Sequence, residues 1–141
     1  MGYTVFPSGR LHLPATDDAA AVTAAKAAWA GRPHGPDFER WAPSDTLEDV
    51  AWVAAAAVTR DGDWIEFGHD DEGDPKWDDH ATAFFVAIAP FVRVGIVVIE
   101  GEDGARWSYG YSGGQVTQQG VNGWDSSSEP FGEPVYGPPP A

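Results

Sequence analysis

A pair of strand-like runs late in the chain constrains the fold more than any other feature. An apolar run, Val94 to Ile99, is followed by the turn Asp103-Gly104 and by aromatic residues at alternate positions, Trp107, Tyr109 and Tyr111. Alternation with a period of two indicates a strand with one buried face, and Asp-Gly favours a hairpin turn. The sequence therefore predicts an antiparallel hairpin whose aromatic side chains face a core. The intervening arginine, serine and glycine positions lie on the outward face.

Three segments carry helical signals. The first follows Thr16 as an N-cap and runs through an alanine-rich stretch to about Ala30. The second begins near Thr46, and the third begins near Asp78 and ends at Pro90. Their apolar residues follow helical spacing and form three stripes: Val22, Ala25 and Trp29; Leu47, Val50, Ala51, Ala54 and Val58; Trp77, Ala81, Phe84, Phe85 and Ile88.

Shorter strand signals at residues 3–13, 64–67 and 115–121 complete the pattern. The resulting order predicts one α+β domain over residues 1–121, with an antiparallel β-sheet and two to three α-helices packed on one face. We expect a ferredoxin-like or related split arrangement. Residues 122–141 are rich in proline, glycine and serine and carry acids, so we predict a disordered acidic tail there.

The charge balance narrows the class of partner. The 141 residues include 22 acids and 8 lysines and arginines, for a net charge of −14, and no cysteine. Without cysteine, neither a disulfide framework nor a thiolate site is possible, so we expect a cytoplasmic protein. The apolar run from Val94 to Ile99 is too short to cross a bilayer, so we expect no membrane anchor. Because nucleic-acid affinity depends on cationic contacts with phosphates, direct binding to DNA or RNA is disfavoured, whereas a protein partner with a basic surface is compatible.

Several short motifs occur together in the second half of the chain. They are Ala89-Pro90, Gly95, Gly101-Glu102-Asp103-Gly104, Arg106-Trp107, Tyr109 and Gly113-Gly114. This combination resembles a motif of small proteins from bacteria and their phages, in which a helix ending in Ala-Pro precedes a strand with an internal glycine and an aromatic strand. The resemblance implies a similar hairpin and a phage or mobile-element origin, and it implies no activity.

The segment from Asp61 to His80 is the most acidic part of the chain, with nine acids against one lysine. Aromatic side chains near such acids suit a cationic partner through charge and cation–π contacts. We therefore expect a non-enzymatic protein-interaction module, of inhibitor or mimic type. The candidate partner-binding residues are Asp70, Asp71, Glu72, Asp74, Trp64 and Trp41.

The same loop supports an alternative hypothesis, a divalent-cation or small-ligand site that could serve a metal-assisted hydrolase. Its candidate ligands are His69, Asp70, Asp71, Glu72, Asp74 and His80. The EF-hand spacing fails, because position six counted from Asp70 is Pro75 and position twelve is Ala81. A solvated acidic loop accounts for the same residues without a metal.

Motifs for catalysis do not appear in the sequence. It has no G-x-S-x-G nucleophile elbow and neither of the glycine-rich phosphate-binding loops. Stacking of nucleic-acid bases on Trp107, Tyr109 and Tyr111 ranks last among the hypotheses, since the hairpin offers Arg106 alone among several acids. The sequence thus favours binding over catalysis and indicates no cofactor.

Overall fold

A computed structural model describes residues 2–30, 36–38, 40, 43–73 and 75–124. Its strands are β1 (Val5–His12), β2 (Ala57–Asp61), β3 (Trp64–Gly68), β4 (Val94–Gly101), β5 (Arg106–Ser112) and β6 (Gln115–Gly120). Its helices are α1 (Asp18–Ala30), α2 (Leu47–Val50) and α3 (Asp79–Ala87), with 3-10 turns at Ala15–Asp17, Ala51–Ala54 and Ala89–Phe91. The six strands form one antiparallel sheet in the order β2-β3-β1-β4-β5-β6, which confirms the predicted α+β class.

The centre of the sheet is a split β-α-β unit. Strand β1 lies between β3 and β4 and is antiparallel to both, so β3 and β4 run parallel to each other. Helix α3 connects these two strands in the chain. A split arrangement is therefore present, but the ferredoxin-like order is not confirmed, because β5 and β6 extend the sheet beyond β4.

One face of the sheet forms the core with the helices. The predicted aromatic row, Trp107, Tyr109 and Tyr111, is buried on this face. The hydroxyl of Tyr111 donates a hydrogen bond to the backbone oxygen of Phe85 in α3 (2.6 Å). These contacts confirm that the late hairpin turns its aromatic side chains toward the helices.

None of the described helices packs on the second face of the sheet, and we call this the open face. Strand β4 lies inside the sheet, as its apolar sequence predicts, yet Val94 and Ile96 on this face are 51% and 49% exposed. The residues paired opposite them on β5, Ser112 and Gly110, are polar or small. Strand β4 therefore buries Val97 and Ile99 on the core face and leaves Val94 and Ile96 about half exposed on the other.

The predicted second helix is too long. Helix α2 ends at Val50, a 3-10 turn follows, and Ala55 adopts a left-handed backbone conformation with φ of 57°. Val58, assigned to the helical stripe from the sequence, belongs to β2 and pairs with Phe67 of β3. Val58 and Thr59 are β-branched and favour a strand, and pairing with β3 also buries Val58.

The first helix begins later than predicted. Thr16 lies in a 3-10 turn, and α1 starts at Asp18. The carboxylate of Asp18 accepts hydrogen bonds from Arg60 (2.6 Å) and from the backbone of Leu47 (3.1 Å). This residue therefore ties α1 to β2 and to the start of α2, which a local helix-capping pattern does not indicate.

The fold continues slightly past the predicted domain end at residue 121. Asn122 is buried, and the Trp124 indole donates a hydrogen bond to Asp79 (3.2 Å) and lies near the ring of Tyr3 (centroids 6.4 Å apart). The rest of the predicted tail lies outside the described residues. None of the described helices combines the length and the hydrophobicity that a membrane span requires.

Candidate partner-binding groove

The acidic loop predicted to bind a partner connects β3 to α3. Asp70 shapes its first turn, because its Oδ1 accepts hydrogen bonds from the backbone N–H groups of Glu72 (3.1 Å) and Gly73 (2.9 Å). Asp71 and Glu72 are exposed, and Asp74 lies outside the described residues. The loop thus presents one ordered carboxylate and at least two solvated carboxylates.

The two histidines of the metal hypothesis have different partners. His69 places Nδ1 3.0 Å from the backbone oxygen of Val5 and Nε2 3.6 Å from Asp71. His80 is 8% exposed, and its Nδ1 lies 3.3 Å from Asp78. Among the described residues, no group of three or more histidine, aspartate or glutamate side chains is arranged to hold a metal ion. The described geometry therefore gives the metal hypothesis no support.

The predicted contact residue Trp64 lies away from the acidic loop. It begins β3 on the open face, and the loop follows the other end of this five-residue strand, about 13 Å away. The guanidinium of Arg10 lies 5.1 Å from the centre of the Trp64 ring and 3.6 Å from Asp61, and His12 contacts the ring edge-on. Trp64 therefore already contacts a cation of its own chain. Trp41 lies outside the described residues.

Two adjoining cavities open beside the acidic loop and share Trp52 and Pro75 in their linings. The larger has a volume of 440 Å³, and its described lining residues are Pro43, Asp49, Trp52, Asp70, Gly73 and Pro75. The smaller has a volume of 220 Å³, and its described lining residues are Pro36, Trp52, Val53, Pro75, Lys76, Asp78 and His80. We call this pair of cavities the Trp52 groove.

The local fold explains how Trp52 reaches this groove. Trp52 lies in the 3-10 turn Ala51–Ala54 directly after α2, where its neighbours Val53 and Ala54 are buried and Trp52 itself is half-buried. A capping box fixes the start of α2: Thr46 Oγ1 accepts from the Asp49 backbone (3.1 Å), and Asp49 Oδ2 accepts from the Thr46 backbone (3.1 Å). The same cap holds the Asp49 carboxylate in the groove wall.

The electrostatics of the groove are dominated by acids. Asp49 and Asp70 each accept backbone hydrogen bonds through one oxygen, which holds both carboxylates in a fixed orientation. Lys76 lines the smaller cavity, and its Nζ donates a hydrogen bond to Thr4 (2.7 Å). An aromatic wall, prolines and ordered carboxylates together fit a cation on an apolar stem, which is the chemistry of an arginine or lysine side chain.

The sequence interpretation missed Trp52 and Asp49. A signal was available, since Trp52 falls outside the apolar stripe that includes Leu47, Val50, Ala51 and Ala54. A large aromatic side chain on the other side of a short helical segment is a candidate contact residue. Its proximity to Asp70 depends on the tertiary packing of two loops and has no local sequence signal.

Comparison with protein-family models, curated proteins and solved structures gives no match. The function proposed for this chain therefore rests on the geometry and charge of the Trp52 groove.

Proposed function

We propose that this protein is a non-enzymatic interaction module that binds a basic surface of a partner protein in the Trp52 groove. The observation that carries the proposal is that Trp52, Asp49 and Asp70 line the same 440 Å³ cavity. A partner arginine would lay its guanidinium against the indole and direct its N–H groups to the carboxylates. Asp71 and Glu72 extend the negative surface from the exposed part of the acidic loop.

The net charge supports the same choice of partner. A chain of charge −14 attracts a basic protein surface at long range and repels phosphate backbones and anionic lipid. Carboxylates that are already ordered lose little side-chain entropy when a cation binds. They should therefore bind a cation more tightly than mobile surface carboxylates do. We also propose a cytoplasmic location, because a chain without cysteine forms no disulfide and is compatible with a reducing compartment.

An oligoarginine peptide tests the groove directly, with a neutral glycine-serine peptide of equal length as the comparison. Calorimetry should show binding of the oligoarginine alone, and its affinity should fall as salt increases because the charges become screened. In NMR spectra, the indole N–H signal of Trp52, assigned with Trp52→Phe, should shift on binding. Asp49→Asn and Asp70→Asn should each weaken binding by about 3- to 10-fold, as expected for removal of a partly ordered charge.

The matched control for these variants is Glu100→Gln. Glu100 is exposed on the open face, so this variant makes the same change in net charge at a site away from the groove. It should alter oligoarginine affinity by no more than about 2-fold, because screened charges at a distance contribute little. Equal weakening by Glu100→Gln and the two groove variants, or an unshifted Trp52 indole at saturation, would contradict the proposal.

A further inference from the structure

The open face carries an apolar stripe that no helix of the described chain covers. Val94, Ile96 and Val98 follow one another on this side of β4, and Phe6 of β1 lies diagonally beside Val98. Three of these side chains are about half exposed: Phe6 (46%), Val94 (51%) and Ile96 (49%). An exposed apolar stripe in the middle of a sheet is typical of a contact surface.

The surroundings of the stripe are flat and uncharged on the β5 and β6 side. Ile96 lies opposite Gly110, which in turn lies opposite Thr117. A shallow depression of 510 Å³ covers this region, and all its described lining residues are uncharged, Ser108, Gln115 and Gln119 among them. A second surface can therefore approach the stripe without burying a charge on this side.

The charge of the open face differs from that of the rest of the molecule. Its strand positions hold two arginines against three carboxylates, a net charge of −1 in a chain of −14: Arg10, Arg106, Asp61, Glu66 and Glu100. The arginines have acidic neighbours, since Arg10 contacts Asp61 and Arg106 pairs across the sheet with Glu100. The strongly acidic character thus resides elsewhere, including the loop and the Trp52 groove.

We propose that the open face joins two copies of this chain in a symmetric dimer. Two chains that each carry −14 repel one another through their acidic surfaces, and the open face, with a net charge of −1 at its strand positions, adds little to that repulsion. A basic partner, by contrast, gains more from the acidic loop than from this nearly neutral face. A two-fold axis near Ile96 would bring the two apolar stripes into contact across the packed sheets.

The size of the face sets the strength of this dimer. Six strands with a spacing of about 4.8 Å and a length of about 20 Å give a flat area of about 500 Å². Standard interfaces bury about 800 Å² of accessible surface on each partner, so this face suits a weak, reversible dimer. We expect a dissociation constant on the order of 10 to 100 µM.

Sedimentation velocity on the full chain tests the proposal over about 1 to 300 µM, a range that brackets such constants. The mass should rise toward that of two chains with concentration. Added salt should strengthen self-association because it screens the repulsion between two acidic chains, whereas it should weaken oligoarginine binding in the Trp52 groove. A chain that stays monomeric throughout this range at low and high salt would overturn the dimer.

Three charge-introducing variants locate the interface. Ile96→Glu should weaken self-association by at least about 10-fold, and Thr117→Glu on the edge strand by at least about 3-fold, because each buries two like charges across the axis. Ala27→Glu makes the same charge change on the exposed side of α1 and should leave association within about 2-fold. Near-ultraviolet circular dichroism checks that each variant is folded. If Ile96→Glu unfolds, Thr117→Glu alone tests whether the open face is the dimer interface.

A dimer that both open-face variants leave intact would overturn this assignment of the interface. Binding of oligoarginine to Ile96→Glu and Thr117→Glu should remain at the wild-type level, because the Trp52 groove lies on other elements. Failure of the dimer and failure of the groove are therefore distinguished by separate measurements.

Discussion

The ring of Phe85 in α3 lies parallel to the ring of Tyr109 in β5, with centroids 4.6 Å apart and planes inclined by 7°. Trp77 stacks with both rings, at 6.1 Å from Phe85 and 6.4 Å from Tyr109. These contacts fix the crossover helix to the late hairpin. The aromatic row therefore belongs to the core, and stacking of nucleic-acid bases on it is excluded in the folded chain.

Removing the stacked ring of Phe85 should destabilise the fold strongly. We expect Phe85→Ala to lower the free energy of unfolding by about 3 to 5 kcal/mol, because it leaves a cavity among buried aromatic rings. Phe85→Leu keeps most of the apolar volume and should cost about 1 to 2 kcal/mol. Urea denaturation measures both values. Val121→Ala, at an exposed site, should change stability by less than about 0.5 kcal/mol, and a similarly small effect of Phe85→Ala would contradict this packing.

Gly95 in β4 and Gly110 in β5 should differ sharply in their tolerance of substitution by alanine. Gly95 has a φ of 138°, and a Cβ there would overlap the backbone oxygen of Arg10 on the neighbouring strand. We expect Gly95→Ala to cost at least about 2 kcal/mol, since it combines backbone strain with a clash in the centre of the sheet. At Gly110 the nearest atom to a Cβ is 4.0 Å away, so Gly110→Ala should be neutral or stabilise by up to about 1 kcal/mol. Thermal melting compares the two variants directly.

High pH should destabilise the protein through two tyrosines. Burial raises the pKa of Tyr111, and burial together with the Asp103 carboxylate raises the pKa of Tyr3. Because each phenol is more easily ionised in the unfolded chain, its contribution is present below the ordinary tyrosine pKa of about 10 and is lost as pH rises toward the folded value. The free energy of unfolding, measured with urea, should therefore be lower at about pH 11 than at about pH 9.

Tyr111→Phe provides the control for this titration. It removes the hydrogen bond to Phe85, so it should lower stability by about 1 to 2 kcal/mol at neutral pH. Between about pH 9 and about pH 11, the free energy of unfolding of Tyr111→Phe should fall by less than that of the wild type, because one of the two phenols is absent. An equal alkaline loss in both proteins would show that Tyr111 does not contribute to it.

The cap of α2 should affect both stability and the proposed groove. Thr46→Ala removes the side-chain acceptor for the Asp49 backbone and should cost about 1 kcal/mol. It also loosens Asp49, so oligoarginine affinity should fall along with stability. Thr46→Ser keeps the hydroxyl and should retain most of both, whereas weak binding by a stably capped Thr46→Ser variant would argue against this role of the cap.

The parts of the fold that were predicted well are those whose pattern is set by neighbours in the chain. The spacing of Phe84, Phe85 and Ile88 indicates α3, and the alternation of Trp107, Tyr109 and Tyr111 indicates a strand with one buried face. The spacing of Val58 predicts a helix, which is wrong, because only pairing with Phe67 of β3 decides between helix and strand at this position.

The candidate site was only partly foreseen from the sequence. Asp70 was identified by its position in the most acidic segment, and it lies in the Trp52 groove. The acidic segment predicts that Trp64 contacts the same partner as Asp70, yet β3 holds Trp64 on the open face beside Arg10. Trp52 and Asp49 reach Asp70 only because the turn after α2 packs beside the loop before α3.

The sequence by itself determined the α+β class, the buried side of the late hairpin and the concentration of negative charge before α3. These follow from residue spacing and charge, which act between neighbours in the chain. The tertiary structure alone decided that Trp52 joins Asp49 and Asp70 and that the stripe around Ile96 stays uncovered, since both depend on which distant segments pack together. Contacts between distant segments are selected by the packing of the whole core, and no short pattern encodes them.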